Sequence, residues 1–188
     1  MARGNPQNLA LGPGYLYMGD IGTPEIVDLV TAWATVSPNW KALGYTEQGS
    51  LFKYALATNP VQVAEELDPV QIATTGRTST VTFMLAELTA TNLMRAANAP
   101  SSALTAGTGI TSFEPPDLGT EVRRMLGFES EDHTERWLFR QCFQTGDMSI
   151  QRQKGAANAT ISVEYTLEKP ASGAKLFKAI LASPQRTI

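Results

Sequence analysis

Asn158-Ala159-Thr160-Ile161-Ser162-Val163-Glu164-Tyr165-Thr166-Leu167 is the stretch that decides the fold. Ala159, Ile161, Val163, Tyr165 and Leu167 fall on one side of an extended chain, and Asn158, Thr160, Ser162, Glu164 and Thr166 on the other. Side chains on a strand alternate between faces, so this period of two marks a strand with one buried face. Working outward, the segment ending at Leu85 repeats the pattern. Val81, Phe83 and Leu85 oppose Thr80, Thr82 and Met84. Further strands are expected at Tyr15–Met18, Trp40–Tyr45, Leu51–Ala57, Val61–Val63, Val122–Phe128, Arg136–Phe143 and Met148–Arg152. The strand that ends at Leu85 is expected to start at Val70, with Gly76 as a break point. Val122, Leu126 and Phe128 are expected to share a face, as are Trp137, Phe139 and Phe143. Glu47-Gln48-Gly49 and Asn59-Pro60 read as turns. The end, Lys175 to Leu181, reads as a strand or a short helix. Residues 25–39 read either as an extended loop or as a helical turn carrying Ile26, Val27 and Val30.

One segment carries helix chemistry. Thr89 is an N-cap residue ahead of Ala90–Asn98, Leu93, Met94 and Ala97 fall at helical spacing, and Pro100 stops the run. Residues 99–119 read as a long loop, and residues 1–14, rich in Gly, Pro and Asn, as an arm without a core of its own. The expected fold is mainly β. It is an antiparallel sandwich or barrel with one flanking helix, the arm at 1–14 and a single domain at 15–188.

Composition narrows the functional classes. The 188 residues can bury about 70% of their extended surface, enough for a core. Charged residues make up 18%, below the usual share of about a quarter, so Thr, Ser, Gln, Asn and Ala fill much of the surface. Such a surface loses little on being buried against another subunit. Net charge is −3 and there is no Lys/Arg run, which argues against gripping phosphates. Cys142 is the only cysteine, so an intrachain disulfide and a thiolate zinc cluster are both excluded. The opening Met1-Ala2-Arg3-Gly4-Asn5-Pro6 has no apolar segment of the signal-peptide type, and no apolar run approaches membrane length. Synthesis in the cytoplasm, without a membrane partner, is the expectation.

Chemistry-bearing clusters are few. The single histidine, His133, lies in Glu129-Ser130-Glu131-Asp132-His133-Thr134-Glu135, which reads as a charged turn between two strands. A metal site there lacks the glycine-assisted turn and ligand order that hard ions require. Ser130 and Asp132 share that turn and do not take triad geometry with His133 unaided. Cys142 on a strand reads as a half-buried structural thiol. Glu65, Glu66 and Asp68 are the other acidic group. Adjacent strand residues point to opposite faces, so Glu65 and Glu66 are a poor acid–base pair. They read as a solvated strand end, or as part of an acidic ring when several copies surround one pore. Gly12-Pro13-Gly14 and Gly107-Thr108-Gly109 lack phosphate-cradle spacing. Asn158-Ala159-Thr160 matches a glycosylation acceptor by chance in a strand. No enzyme activity, cofactor or metal is expected.

A resemblance enters at Trp40-Lys41-Ala42-Leu43-Gly44-Tyr45-Thr46-Glu47-Gln48-Gly49. This Trp, the Leu-Gly-Tyr-Thr step and the Gly before a hairpin are similar to the early part of phage major tail proteins. Asp68-Pro69-Val70, the Thr-rich strand Thr78–Leu85 and Ala86-Glu87-Leu88-Thr89 leading into Asn92-Leu93 follow in the same order, and Ala159–Leu167 resembles the late sheet strand. The chain most resembles tail tube proteins of long, non-contractile tails, especially in phages of actinobacteria, over roughly residues 13–181. The resemblance implies a β-sandwich or barrel with one flanking helix. It also implies hexameric rings stacked into a tube, strands paired between subunits in an inner barrel, and a lumen that conducts DNA without specific binding. Tape measure, terminator and distal tail proteins are the implied partners, and the virion tail the implied location. Within that frame the hairpin Leu51–Glu66 is expected on the inner sheet, with Glu65 or Glu66 facing the lumen. The alternatives are a terminator or connector ring on a similar fold, and a ligand-binding β-sandwich using Trp33, Trp40 and Trp137.

Overall fold

The computed structural model describes residues 14–62, 64, 68–152 and 159–182. The expected arm therefore lies almost entirely outside the described residues. The strands are β1 (Gly14–Asp20), β2 (Lys41–Ala42), β3 (Thr46–Val61), β4 (Gln71–Leu85), β5 (Leu104–Gly107), β6 (Ile110–Phe113), β7 (Arg124–Ser130), β8 (Glu135–Gln144), β9 (Ser149–Gln151), β10 (Thr160–Leu167) and β11 (Phe177–Leu181). The helices are α1 (Trp33–Val36) and α2 (Ala90–Ala96). Nine strands form one antiparallel sheet ordered β2-β1-β7-β8-β10-β4-β3, with β11 also on β8 and β9 also on β10. The mainly β, antiparallel architecture with few helices agrees with the expectation.

The sheet closes on itself. β2 and β3 are its two edges, yet they are consecutive in the chain, joined by Leu43-Gly44-Tyr45. Four residue steps reach at most about 14 Å, so the edges must curl towards each other. One core cluster draws its buried residues from five strands of the path, while β3 adds only the partly buried Phe52. Leu16 and Met18 come from β1, Leu126 from β7, Phe139 and Cys142 from β8, Ile161, Val163 and Tyr165 from β10, and Val81, Phe83 and Leu85 from β4. The alternation in β4 and β10 is the one that opened the sequence reading. β7 is buried on both faces: Leu126 enters this cluster, while Met125 joins Ile26, Trp33, Trp40 and Leu138 in a second one outside the sheet. Residues 21–40 thus form a flap over the outer face of β7 and β8. Ile26 is buried in it, whereas Val27 and Val30 point to solvent, so the three do not share an apolar face.

Gly44 makes the closing step possible. Its φ is +84°, and a Cβ there would meet the Glu87 carboxyl group, which accepts from the Tyr45 backbone N–H at 3.0 Å. Leu43 is buried and Tyr45 exposed, which accounts for the Leu-Gly-Tyr step physically. α2 then seals this end of the curl. Thr89 caps it by accepting from Asn92 N, Asn92 Nδ2 donates to Leu43 O and Glu87 O, and Tyr165 Oη donates to Arg95 O. Met94 and Ala96 are buried, while Leu93 is half-buried against the first cluster.

Several expectations need correction. Trp40–Tyr45 yields only the two-residue β2, because the chain must cross between sheet edges there. Glu47-Gln48-Gly49 is not a turn: Gln48 and Gly49, both at positive φ, form a bulge within β3 between the pairs Glu47↔Met84 and Ser50↔Phe83. Asn59-Pro60 is likewise inside β3, paired with Ala73 and Ile72. β3 is an edge strand, which is where a sheet tolerates proline. Near Gly76 the strand does not break but bulges, with Thr75 as the extra residue between Ala57↔Gly76 and Thr58↔Thr74. A register shift also separates Phe143 from Trp137 and Phe139. Phe139 and Cys142 face the core, and Phe143 lies under the Arg123 guanidinium, 4.7 Å from its ring centre. The loop 99–119 holds a short hairpin, β5–β6, turned at Thr108-Gly109 with Gly109 at φ +72°. Of the two readings of Lys175–Leu181, the strand holds, as Phe177–Leu181.

Replacing Gly44 by Ala places an L-residue in left-handed backbone. The expected cost is about 1–2 kcal/mol. Urea titration checks it as a lower midpoint with an unchanged slope.

Candidate assembly surface and buried charge cluster

β3 and β4 are far longer than the other strands, and their distal halves leave the body of the protein. From Lys53 to Val61 the hairpin extends about 30 Å. Ser79, opposite Tyr54, is still buried, but beyond the Ala55↔Thr78 pair both faces are largely open to solvent. Cross-strand partners share a face, so register assigns the side chains. One face continues the core line of Phe52 and Val81 outward through Tyr54, Ser79, Leu56 and Arg77, then Pro60 and Ile72. It carries Tyr54, Leu56 and Ile72 as exposed apolar groups, Ile72 at 68% exposure. The opposite face carries Lys53, Ala55, Ala57, Asn59, Gln71, Thr78 and Thr80, with Leu51 and Val61 at its two ends. β3 also has an unpaired edge. Glu65 and Glu66 lie outside the described residues; Asp68 beside them is exposed.

At the root of the hairpin an aromatic group anchors it. Phe52 lies 5.0–5.4 Å from Phe177, Phe139 and Trp137, ring centre to ring centre, and Tyr54 lies 6.1 Å from Phe177. Trp33 and Trp40 belong to the second core cluster, with Trp40 Nε1 donating to Pro24 O at 2.9 Å. These placements use all three tryptophans in packing.

The stretch Glu129–Glu135 is the charged turn between two strands that the sequence predicts, and only part of it is exposed. Glu131 and Asp132 are exposed, but Glu129 is 3% exposed. Its carboxylate accepts from Arg136 Nη2 at 2.6 Å and Nε at 3.1 Å, from Trp33 Nε1 at 2.7 Å, and lies 2.6 Å from His133 Nδ1. Arg136 is 2% exposed and also donates to Asp28 O and Thr31 O. The cluster ties the flap to β7 and β8. Gly127 leaves space for it: a Cβ at that position would overlap the Trp33 ring. Ser130 Oγ donates to Asp132 Oδ1 at 2.6 Å and accepts from Thr134 N and Glu135 N, so these residues shape the turn. His133 takes positive φ there, +55°. Cys142 is fully buried, more than the half-buried thiol expected, and burial pushes its thiol well above the ordinary value.

Sequence reading missed the Glu129–Arg136 pair, although a signal was present. Arg136 is in phase with Leu138 on β8, and a charge at a core-phase position demands a buried partner.

Against this background, a family profile described as phage tail tube protein matches residues 1–182. The chain belongs to the phage tail tube protein family, and is a structural tail tube subunit and a virion component. No curated protein sequence matches it.

Burial pushes the Glu129 carboxyl up, but hydrogen bonds from Arg136, His133 and Trp33 outweigh burial and hold it below its ordinary value of 4.5. The sign follows: a depressed folded value gives stability that is complete above about pH 4.5 and is lost as pH falls through the folded value. Glu25 adds in the same direction, held down first by its hydrogen bond from Arg140. Glu129→Gln leaves Arg136 buried without its counter-charge and should cost about 3–5 kcal/mol at neutral pH. Melting curves from pH 3 to 7 check both points, since the variant's stability should depend less on pH at the acid end.

Proposed function

We propose that this subunit builds hexameric rings that stack into the tube of a long, non-contractile phage tail, with a lumen that conducts DNA during genome delivery. The observation that carries the reading is the distal β3–β4 hairpin: a two-stranded extension with an apolar face, a polar face and an open edge. A two-stranded ribbon is marginal in water by itself, and an open edge is a template for another chain. In a closed ring, neighbouring hairpins pair edge to edge and both liabilities disappear. Tyr54, Leu56 and Ile72 then pack against the neighbouring subunit. The opposite face, of Thr, Ala, Asn and Gln with Lys53 as its one cation between Lys53 and Asn59 or Gln71 and Thr80, lines the lumen. Such a wall offers phosphates little to hold, which suits a passing polymer. Glu65 or Glu66 at the hairpin's far end would add a ring of negative charge. The actinobacterial phage and the non-contractile tail in this reading rest on the resemblance carried by Trp40–Gly49 and the segments that follow it. Tape measure, terminator and distal tail proteins are the remaining partners of this reading.

Electron microscopy of the purified protein tests it. Tubes of uniform width are expected; single rings would favour a terminator, and a monomer at all concentrations would sink the proposal. Leu56→Asp and Ile72→Lys should each block tube formation. Stability should change by no more than about 0.5 kcal/mol, because both side chains are exposed in the monomer. Ala55→Ser on the opposite face should assemble normally.

A further inference from the structure

The two ends of β7 carry opposite charge. At its start a cleft of about 480 Å³ is lined by Lys41, Arg95, Arg123 and Arg124, with Asp20 as the one carboxylate among its walls. Glu168, from just beyond β10, reaches Arg123 at 3.0 Å from outside the lining. Arg124 is 7% exposed. It pairs with Asp20 at 2.9 Å and donates to Ala99 O, yet its Nε is buried with no acceptor. Arg95 spends its donors on the neutral oxygens of Ala42 and Asn92, and neither it nor Lys41 forms an ion pair among the described residues. Burial, and after it the Arg124 charge, holds the Arg95 guanidinium below its ordinary value. In a chain of net charge −3, that concentration of cations is a local inversion.

The other end of β7 is acidic. The strand runs from Arg124 to Ser130, about 20 Å, and leads into Glu131 and Asp132, both exposed. Arg136, the cation nearest in sequence, is buried and already committed to Glu129. Asp28 stands beside it, 3.7 Å from Arg136 Nη1 and 44% exposed. The outward charge of this end is therefore negative.

We propose that the basic cleft receives the Glu131-Asp132 turn of a second copy of this chain, making a polar, head-to-tail joint between successive rings. This rests on the tube reading above and assigns the surface by which rings stack. A patch that matches a different patch on the same molecule makes a heterologous contact, and repeated translation of such a contact gives an open filament. Complementary charge also fixes direction, because a ring turned over brings like charges together. The Glu131 carboxylate, with Asp132 beside it holding its Oδ1 within the turn, supplies the negative charge that Lys41 and Arg95 lack among the described residues.

Charge exchange tests the joint. Lys41→Glu and Glu131→Lys alter exposed side chains, and circular dichroism checks that each variant folds. Each single variant should raise the concentration needed for tube growth about tenfold, as expected for a close interfacial charge pair. The double variant Lys41→Glu/Glu131→Lys restores opposite charges across the joint and should recover growth. Singles that polymerise like the unaltered chain, or a double no better than its worse parent, would overturn the inference while leaving the tube intact. Unaltered protein that forms no tubes would instead count against the tube reading itself. Duplex DNA retarded by the unaltered protein and released by Lys41→Glu would reassign the cleft to phosphate and overturn the inference as well.

Discussion

Everything in this fold depends on a short connection. The chain passes from one edge of a nine-stranded sheet to the other through Leu43-Gly44-Tyr45, and it cannot do so unless the sheet curls. The curl turns the inward faces of β1, β7, β8, β10 and β4 towards one another, which gives a single core from strands distant in sequence. It also leaves an end that α2 covers, through Asn92 bonded to Leu43 O and Tyr165 bonded to Arg95 O. The left-handed Gly44, with Glu87 packed against it, is thus a requirement of closure rather than a loop detail.

The same constraint separates what is structural from what is available for assembly. Strands inside the curl are buried on at least one face, and β7 on both. β3 and β4 outrun the curl, so their distal halves gain nothing from the core. They keep a strand's hydrogen bonds to each other and present two faces of different character. The second cluster, with Trp33 over Gly127 and Glu129 bonded to Arg136, covers the outer face of β7 and β8 as well. The body is closed over its own core, and the distal hairpin is the part left open to solvent.

Much of this was legible in the sequence. The alternation in β10 and the end of β4 placed both strands and their buried faces, because each packs against the core on one side only. Thr89 and Pro100 bracketed the helix through local chemistry. What failed were the punctuation marks. Glu47-Gln48-Gly49, Asn59-Pro60 and Gly76 all look like ends of strands, yet each sits within one, since a long hairpin absorbs extra residues and proline through bulges and an open edge. The trio Trp137, Phe139 and Phe143 failed for a related reason: one shift of register on β8 sends the last of them to the other face. The buried carboxylate was hidden because Glu129 adjoins three truly exposed polar residues, Glu131, Asp132 and His133, within five positions. The basic cleft gathers residues from four separate segments, and no local pattern foreshadows it.

Cys142 has a consequence for the age of the particle. A virion persists outside any cell, where no reductant renews oxidised sulfur. The only thiol of the chain is sealed at 0% exposure between strands, and burial disfavours its reactive thiolate. Oxidants and neighbouring thiols reach it only when β8 parts from the core. A tail made from such subunits ages without sulfur cross-links for as long as its subunits stay folded, and the chemical state of that one atom is a record of how often they have opened.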